Sequence, residues 1–513
     1  MPGNGFVDRR RFIGVTGLAA GSLLARGRHA VAALKRPNVL LLHTDQQHHN
    51  TLGCGGNPLI QTPNLDALAQ DGVRFTNALC ATPFCSPSRA SWVTGQWPHT
   101  TGRITNVQGN DQWMTDEHWN LPNVLHDAGY RCAHYGKWHL GRIEDIRAYA
   151  HQGTRQDRNR PYNQLLRNGL KLDHAKIPEP RVGWQHVDMI PAVAAFHKVW
   201  KDEERRSPQD LSIIGKGALP PEYQYESWLA DECIRFVEQN RDGPFFATYS
   251  VSPPHAFWVA PDPYYSMYDP ADIPLPKNRA DYPKMWPHAQ GIRIGEGLGE
   301  EGLREYLRCY YAQVTMMDAF MGRIIDRLKQ LGLYDNTIIL FTSDHGDMQA
   351  GHGCVGKSLP TYYEEILRVP FIAKVPGSRK AAVCNTHTVS PDVAPTMLDC
   401  LGLPIPDHVQ GRSIRGLIDG TEPEDLRPGL CERGVGKSGT RMIRSGQWKY
   451  CIYVGPKGGV YRELFNLQED PWEMTNLAGN ARFADLWRHL HQQLCAELER
   501  NADDRTVEAL LKI

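Results

Sequence analysis

A thiol, Cys85, stands four residues ahead of a guanidinium, Arg89, in the polar run Cys85-Ser86-Pro87-Ser88-Arg89, which Ala90 and a Thr94-Gly95 pair follow. A thiol placed beside a fixed cation is a candidate nucleophile or nucleophile precursor. The alternative is an ordinary cysteine in a solvent-facing turn, because short motifs recur by chance. Two other segments carry donors for a hard divalent cation. Asp45-Gln46 and Asp344-His345-Gly346-Asp347 offer carboxylate and amide oxygens suited to Ca²⁺ or Mg²⁺, and an imidazole that widens the choice to Mn²⁺. Singly, Asp45 reads equally as a helix cap and Asp344-His345-Gly346 as a turn. Together with a nucleophile they describe a site where a metal serves as Lewis acid and template for a sulfuryl or phosphoryl oxygen.

Further cations and imidazoles have the same flavour. Gly136-Lys137-Trp138-His139-Leu140-Gly141 sets an ammonium and an imidazole two positions apart, on one side of an extended segment. Pro253-Pro254-His255 and Gly356-Lys357-Ser358 supply one more of each, the latter upstream of Tyr362-Tyr363-Glu364-Glu365. Taken alone, each lysine reads as well as a solvated surface residue, and each histidine as a structural one.

Several of these groups fall just behind runs that read as buried strands. Val39-Leu40-Leu41-Leu42 precedes Asp45, residues 244–251 precede His255, and Thr337-Ile338-Ile339-Leu340-Phe341-Thr342 precedes Asp344. Helical signals alternate with them. Pro63-Asn64-Leu65-Asp66 opens a helix with Asn64 as N-cap, residues 121–128 form a second, and residues 311–331 a longer one with Val314, Met317, Ile324 and Leu328 inward. The alternation predicts an α/β fold, a large, mainly parallel mixed sheet flanked by helices. Ligands of such sheets collect at the carboxyl ends of strands, where these polar groups lie. Residues 142–225 read as a basic, Pro-rich, loop-rich insert. Beyond residue 420, Arg441-Met442-Ile443-Arg444 and residues 448–454 suggest antiparallel strands, followed by a helix over 483–498, in a smaller α+β domain over 421–513.

Composition narrows the function. The chain has 513 residues, 41% hydrophobic and 22% charged, with 57 basic against 57 acidic side chains, so no nucleic-acid-binding bias is present. Twelve cysteines without a Cys-x-x-Cys pair exclude a disulfide scaffold or zinc knuckle and read mostly as small buried hydrophobes. Asp8-Arg9-Arg10-Arg11-Phe12-Ile13, an apolar run to Ala25 and Ala30-Val31-Ala32 look like a twin-arginine export signal over 1–32. Its apolar run falls short of the roughly 20 residues that span a bilayer, so no stable membrane insertion is expected. Removal after Ala32 deletes five arginines and one aspartate, which carries the net charge from 0 to −4.

From residue 37 to the C-terminus the order of these segments resembles the formylglycine-dependent sulfatases of the alkaline phosphatase superfamily. The matching stretches are Arg36-Pro37-Asn38-Val39-Leu40, Thr62-Pro63-Asn64-Leu65-Asp66, Cys85 to Arg89, Gly136 to Gly141, Asp344-His345-Gly346, Tyr363-Glu364-Glu365 and, near the end, residues 463–473. The resemblance implies a catalytic domain over 37–420, export to the periplasm or medium through the twin-arginine machinery, and a maturation enzyme that oxidises Cys85 to formylglycine. It implies one divalent metal, most simply Ca²⁺, at Asp45, Gln46, Asp344, His345 and modified Cys85. Arg89, Lys137 and His139 would orient the aldehyde hydrate, Lys137 also facing the sulfate. His255 and Lys357 would serve the bridging oxygen, with His255 as general acid. One hydroxyl of the hydrate would attack sulfur, and the second would collapse to the aldehyde and expel sulfate, a route closed to serine.

One departure bears on substrate. Asp45-Gln46 stands where many sulfatases carry two aspartates, and Gln there resembles phosphonate monoester hydrolase and choline-sulfatase-like relatives. The expected substrate is a sulfated carbohydrate; a phosphonate monoester or phosphodiester is the nearest alternative, and a non-catalytic sulfated-glycan-binding protein a third. Trp138, Trp258 and His99 are candidates for a sugar subsite or, more simply, for core and rim packing.

Overall fold

The computed structural model describes residues 36–108, 113–152, 164, 187–202, 213–283, 290–357, 361–424, 427–434, 439–454, 459–503 and 506. The leader expected over 1–32 and much of the insert expected over 142–225 lie outside them.

The apolar run after Pro37 forms the central strand Asn38–Asp45, buried along its whole length. Its neighbours are Phe245–Pro254 on one side and Thr337–Ser343 on the other, both parallel to it, and Arg131–Gly136 extends the parallel set beyond Phe245–Pro254. Beyond Thr337–Ser343 come Phe371–Lys374, antiparallel, then Val73–Phe75 and Ala382–Cys384, which complete seven strands. The mixed, mainly parallel sheet is therefore as expected.

Strand alternation divides the core. Val39 and Leu41 join Phe246, Ile338 and Leu340 on one face, while Leu40 and Leu42 join Ala247, Ile339 and Phe341 on the other. Covering both faces with helices is what makes these strands apolar throughout. The second face packs against Tyr225–Gln239 and the long helix Gln290–Gln330, which is interrupted at Gly299 (φ 62°). Val314, Met317, Ile324 and Leu328 are inward on that helix, as the periodicity predicts.

Asn64 is not an N-cap. The helix is Pro63–Gln70, and its open amides are met from another helix: Asp318 accepts from the Leu65 amide at 2.8 Å and from Asn64 Nδ2 at 2.7 Å. Residue 121 does open a helix, Leu121–Asp127, capped by Asn120 accepting from the Asn123 amide.

The C-terminal part holds a four-stranded antiparallel sheet, Gly429–Arg433, Thr440–Ser445, Trp448–Val454 and Val460–Asn466, in chain order. Leu490 and Leu494 of helix Ala484–Arg500 pack on Ile443, Tyr450 and Ile452. Ten of the twelve cysteines are buried and all are free thiols. No helix among the described residues is long and apolar enough to cross a membrane.

Candidate active site

Four adjacent parallel strands deliver the polar groups to one edge of the sheet. Asp45 ends the central strand, Asp344 and His345 follow Thr337–Ser343, His255 follows Phe245–Pro254, and Lys137 and His139 follow Arg131–Gly136. Cys85 comes from the opposite direction, as the first residue of helix Cys85–Thr94. Every residue of that helix is buried, which excludes the solvent-facing turn. Pro87 is tolerated because a first helical turn has no internal amide bonds to lose. One turn later Arg89 shares the face of Cys85, so the four-residue spacing is a helical one.

Arg89 organises the centre. Its fully buried guanidinium donates to Asp344 Oδ2 at 2.8 Å, Asp45 Oδ2 at 3.1 Å, the Lys137 carbonyl at 2.8 Å and Ser250 Oγ at 2.9 Å. Lys137 Nζ lies 2.5 Å from Asp45 Oδ2. Lys357 Nζ lies 2.7 Å from Cys85 Sγ and 3.3 Å from His345 Nε2. The sulfur is also 3.3 Å from His345 Nε2 and 3.7 Å from Asp45 Oδ1.

The charges respond to this packing. Burial and Asp45 oppose ionisation of Cys85, but Lys137, Lys357 and His345 outweigh them and hold its thiol well below the usual range. Burial likewise opposes the Asp45 charge, which Lys137, Lys357, His255 and Arg89 rescue, leaving that carboxyl well below its ordinary value. Asp344 is pushed up, by burial first and then by Asp45. Burial would lower His345, yet Asp344 carries it up to about 9.

The geometry fits a divalent cation. One ligand atom from each of Asp45, Cys85, Asp344 and His345 lies within 4.8 Å of the others. Gln46, in the left-handed region at φ 65°, has its amide orientation fixed: Nε2 donates to Asp347 Oδ2 at 2.6 Å, leaving Oε1 as the ligating branch. Asp347 is in turn held by Tyr306, and Tyr310 donates to the Gln46 carbonyl at 2.5 Å. A pair of carboxylates with a single imidazole suits a hard divalent cation.

Two imidazoles of the site have, among the described residues, one nitrogen without a hydrogen-bond partner. His255 meets the Ala256 carbonyl through Nδ1 at 3.0 Å while buried Nε2 has none, and His139, at φ 60°, has a bare buried Nδ1. Burial, reinforced by Lys357, pulls His255 down to about 3. Trp258 and Trp138 are packing residues: Trp258 is fully buried edge-on to Tyr306, and Trp138 sits against His134. His99 is a joint to the C-terminal sheet, with Nδ1 2.7 Å from Glu432 Oε2 and Nε2 2.9 Å from the Asn501 carbonyl. Sequence reasoning assigned no role to Ser250, Tyr306 or Tyr310, and read Asp347 only as part of a cation-donor segment, not as the holder of Gln46.

A sheet with this site at its strand ends defines the alkaline-phosphatase-like hydrolases of sulfuryl and phosphoryl esters. Within them the chain belongs to the sulfatase family: the Sulfatase family model matches residues 37–403, and that of the N-sulphoglucosamine sulphohydrolase C-terminal region matches residues 351–500. It is a sulfuric ester hydrolase by family. An ulvan-active sulfatase of Formosa agariphila is 29% identical over 481 residues, 91% of this chain and 82% of that one. An N-acetylglucosamine-6-O-sulfatase of Bacteroides thetaiotaomicron is 27% identical over 522 residues, 95% and 90% of the two chains. The crystal structure of a phosphonate monoester hydrolase of Agrobacterium radiobacter matches with a TM-score of 0.75 at 25% identity, covering 92% of this chain and 97% of that one.

Proposed function

We propose that the protein is an exported sulfatase that hydrolyses a sulfate ester of a sulfated carbohydrate at Cys85, after a maturation enzyme has oxidised that thiol to formylglycine. The observation that carries this reading is the buried Cys85 sulfur, 2.7 Å from Lys357 Nζ and 3.3 Å from His345 Nε2 within a cluster of metal donors. The sulfur occupies the position that the oxygens of the aldehyde hydrate would take. A divalent metal at Asp45, Gln46, Asp344 and His345, most simply Ca²⁺, would polarise the sulfate, and the hydrate at residue 85 would supply the attacking hydroxyl.

The chain's own groups do the rest. Lys137, just after the strand Arg131–Gly136, and Lys357, in the turn after Gly351–Gly353, offset the sulfate's charge, which stabilises charge developing on its oxygens. Arg89 holds Asp45 and Asp344 in place, so the metal donors need no reorganisation. His255 takes the Nδ1–H tautomer against the Ala256 carbonyl and stays neutral until a substrate arrives. The sulfate's negative charge then favours a proton on Nε2, which passes to the departing alcohol oxygen. His139 offers a buried Nδ1 without a hydrogen-bond partner among the described residues.

The carbohydrate assignment rests on the N-sulphoglucosamine sulphohydrolase C-terminal match and on the sugar sulfatases among the relatives. Export to the periplasm or medium through the twin-arginine machinery rests on the leader over 1–32. A phosphonate monoester or phosphodiester substrate is the second reading, favoured by Gln46 beside Asp45 and by the structural likeness to the phosphonate hydrolase. Peptide mass spectrometry across Cys85, on protein from a maturation-competent host, tests the mechanism. Unmodified thiol throughout would sink it. Rates on matched sulfate, phosphonate and phosphate esters choose between the substrates.

A further inference from the structure

The strand Gly429–Arg433 of the small sheet ends against the segment that leads into the Cys85 helix. The Glu432 amide donates to the Ala81 carbonyl at 2.9 Å, which brings the two chains together three residues before Phe84. Glu432 is engaged by His99, and it lies 3.7 Å from Arg441. Arg433, next along the strand, points to the other face, the one that Cys431 buries in the catalytic core. Its guanidinium lies 4.4 Å over the ring of Phe84, and both residues are only half-buried, so the pair keeps an open side.

Among the described residues this guanidinium has no carboxylate and no hydrogen-bond partner, and it stacks on the Phe84 ring. Burial lowers its proton affinity, with only Tyr362 and Cys431 opposing. A guanidinium withdrawn from water without an anion is costly, and stacking on a half-buried ring offsets only part of that cost. The platform beneath it is rigid. Arg441 donates to the Arg433 carbonyl at 3.3 Å and the Gly434 carbonyl at 3.1 Å, and is itself anchored on Asp503 at 2.9 Å. A fixed planar fork with an open side matches a carboxylate or sulfate, which it can bind through two parallel hydrogen bonds.

We infer that Arg433, stacked on Phe84, is an anion subsite for a second oxyanion on the same saccharide as the scissile sulfate, so that the preferred substrate is polyanionic. This rests on the sulfatase reading of the Cys85 site. The test compares Arg433→Gln and Arg433→Lys with the unaltered enzyme, all with formylglycine confirmed by mass spectrometry. The substrates are a monosulfated monosaccharide, its disulfated counterpart and a sulfated disaccharide bearing a uronate. The readout is the ratio of kcat/KM on each dianionic substrate to that on the monosulfated one.

Loss of a charge-assisted hydrogen-bonding partner lowers that ratio by about 10- to 100-fold in Arg433→Gln, mainly through KM, with Arg433→Lys in between. The arm that collapses, disulfated or uronate-bearing, identifies the oxyanion. Ratios unchanged in both variants, or equal losses on all three substrates, overturn the subsite and leave the sulfatase reading intact. Failure of the unaltered, formylglycine-bearing enzyme on every sulfate ester overturns that reading itself, and the subsite with it. Phe84→Leu, which keeps the apolar contact but removes the ring, lowers the same ratio less and guards against a variant that fails to fold.

Discussion

Arg89→Lys keeps the charge at the centre of the site and removes the fork. The arginine uses three nitrogens for four hydrogen bonds, two of them to the carboxylates of Asp45 and Asp344. One ammonium cannot reach both carboxylates in that geometry, and all three groups are fully buried. The variant therefore leaves a carboxylate, a carbonyl or Ser250 unmatched in the interior. Breaking a buried pair of this kind costs about 3–5 kcal/mol. For a chain this long the unfolding entropy makes each kcal/mol worth about 1 °C, so the midpoint falls by about 3–5 °C. The comparison belongs in a host without a maturation enzyme and in the presence of chelator, with Cys85 a plain thiol in both proteins, so that neither oxidation nor metal loss contributes. Calorimetry at one scan rate gives the midpoint, and urea titration gives the free energy. A difference below about 1 kcal/mol would show that Arg89 is not what holds the two carboxylates in register.

Other outcomes follow from the same contacts. Gln46→Glu sets a carboxylate against Asp347 where Nε2 now donates at 2.6 Å, so Ca²⁺ affinity by titration calorimetry gains little until Asp347→Asn is added. The double variant then binds Ca²⁺ at least about 10-fold more tightly than the parent, and equal affinities would refute the coupling. His387 is pulled down to about 4 by burial and by Arg444, with Nδ1 on the Arg427 carbonyl and Nε2 unpartnered. Because the unfolded chain takes up this proton at a higher pH than the folded one, its contribution is present above about pH 6.5 and lost as pH falls towards 4. His387→Phe accordingly flattens the acid side of the stability profile, and an unaltered slope would count against it. Lys449→Met, which strips the fully buried ammonium from between Glu364 and Glu473, destabilises the chain by about 3–5 kcal/mol in the same urea titration; a loss under 1 kcal/mol would refute that ion pair's role.

The sheet was legible because its strands are short apolar runs with polar groups at one end. That pattern placed Asp45, Asp344 and His255 at strand termini before any coordinates. The Cys85 helix was not legible as a buried helix, because Cys, Ser, Thr and Arg occupy all its faces and no apolar period marks an inward side. Its burial is made possible by groups elsewhere that accept its polar atoms, such as the Asp344 carbonyl for Ser88 and the His139 carbonyl for Ser86. Asp318 as the cap of Pro63–Gln70 and Asp347 as the holder of Gln46 share that opacity. Each acts on a residue some 250 to 300 positions away, and composition near either partner carries no trace of it. Gly429–Arg433 was missed because its alternation is broken by Glu432 and Arg433, the residues that bind His99 and face Phe84.

Because its polar side chains follow four neighbouring strands, the centre inherits its tolerance from the sheet ladder. A strand advances about 3.3 Å per residue and turns its side chains over at each step, so slippage by a single position would carry a ligand out of reach and aim it at the wrong layer. Local fraying therefore has no partly assembled intermediate to offer a metal. The Asp45 and Asp344 carboxylates converge only when Asn38–Asp45 is paired in register with Thr337–Ser343, which ties the catalytic constellation to the completed ladder.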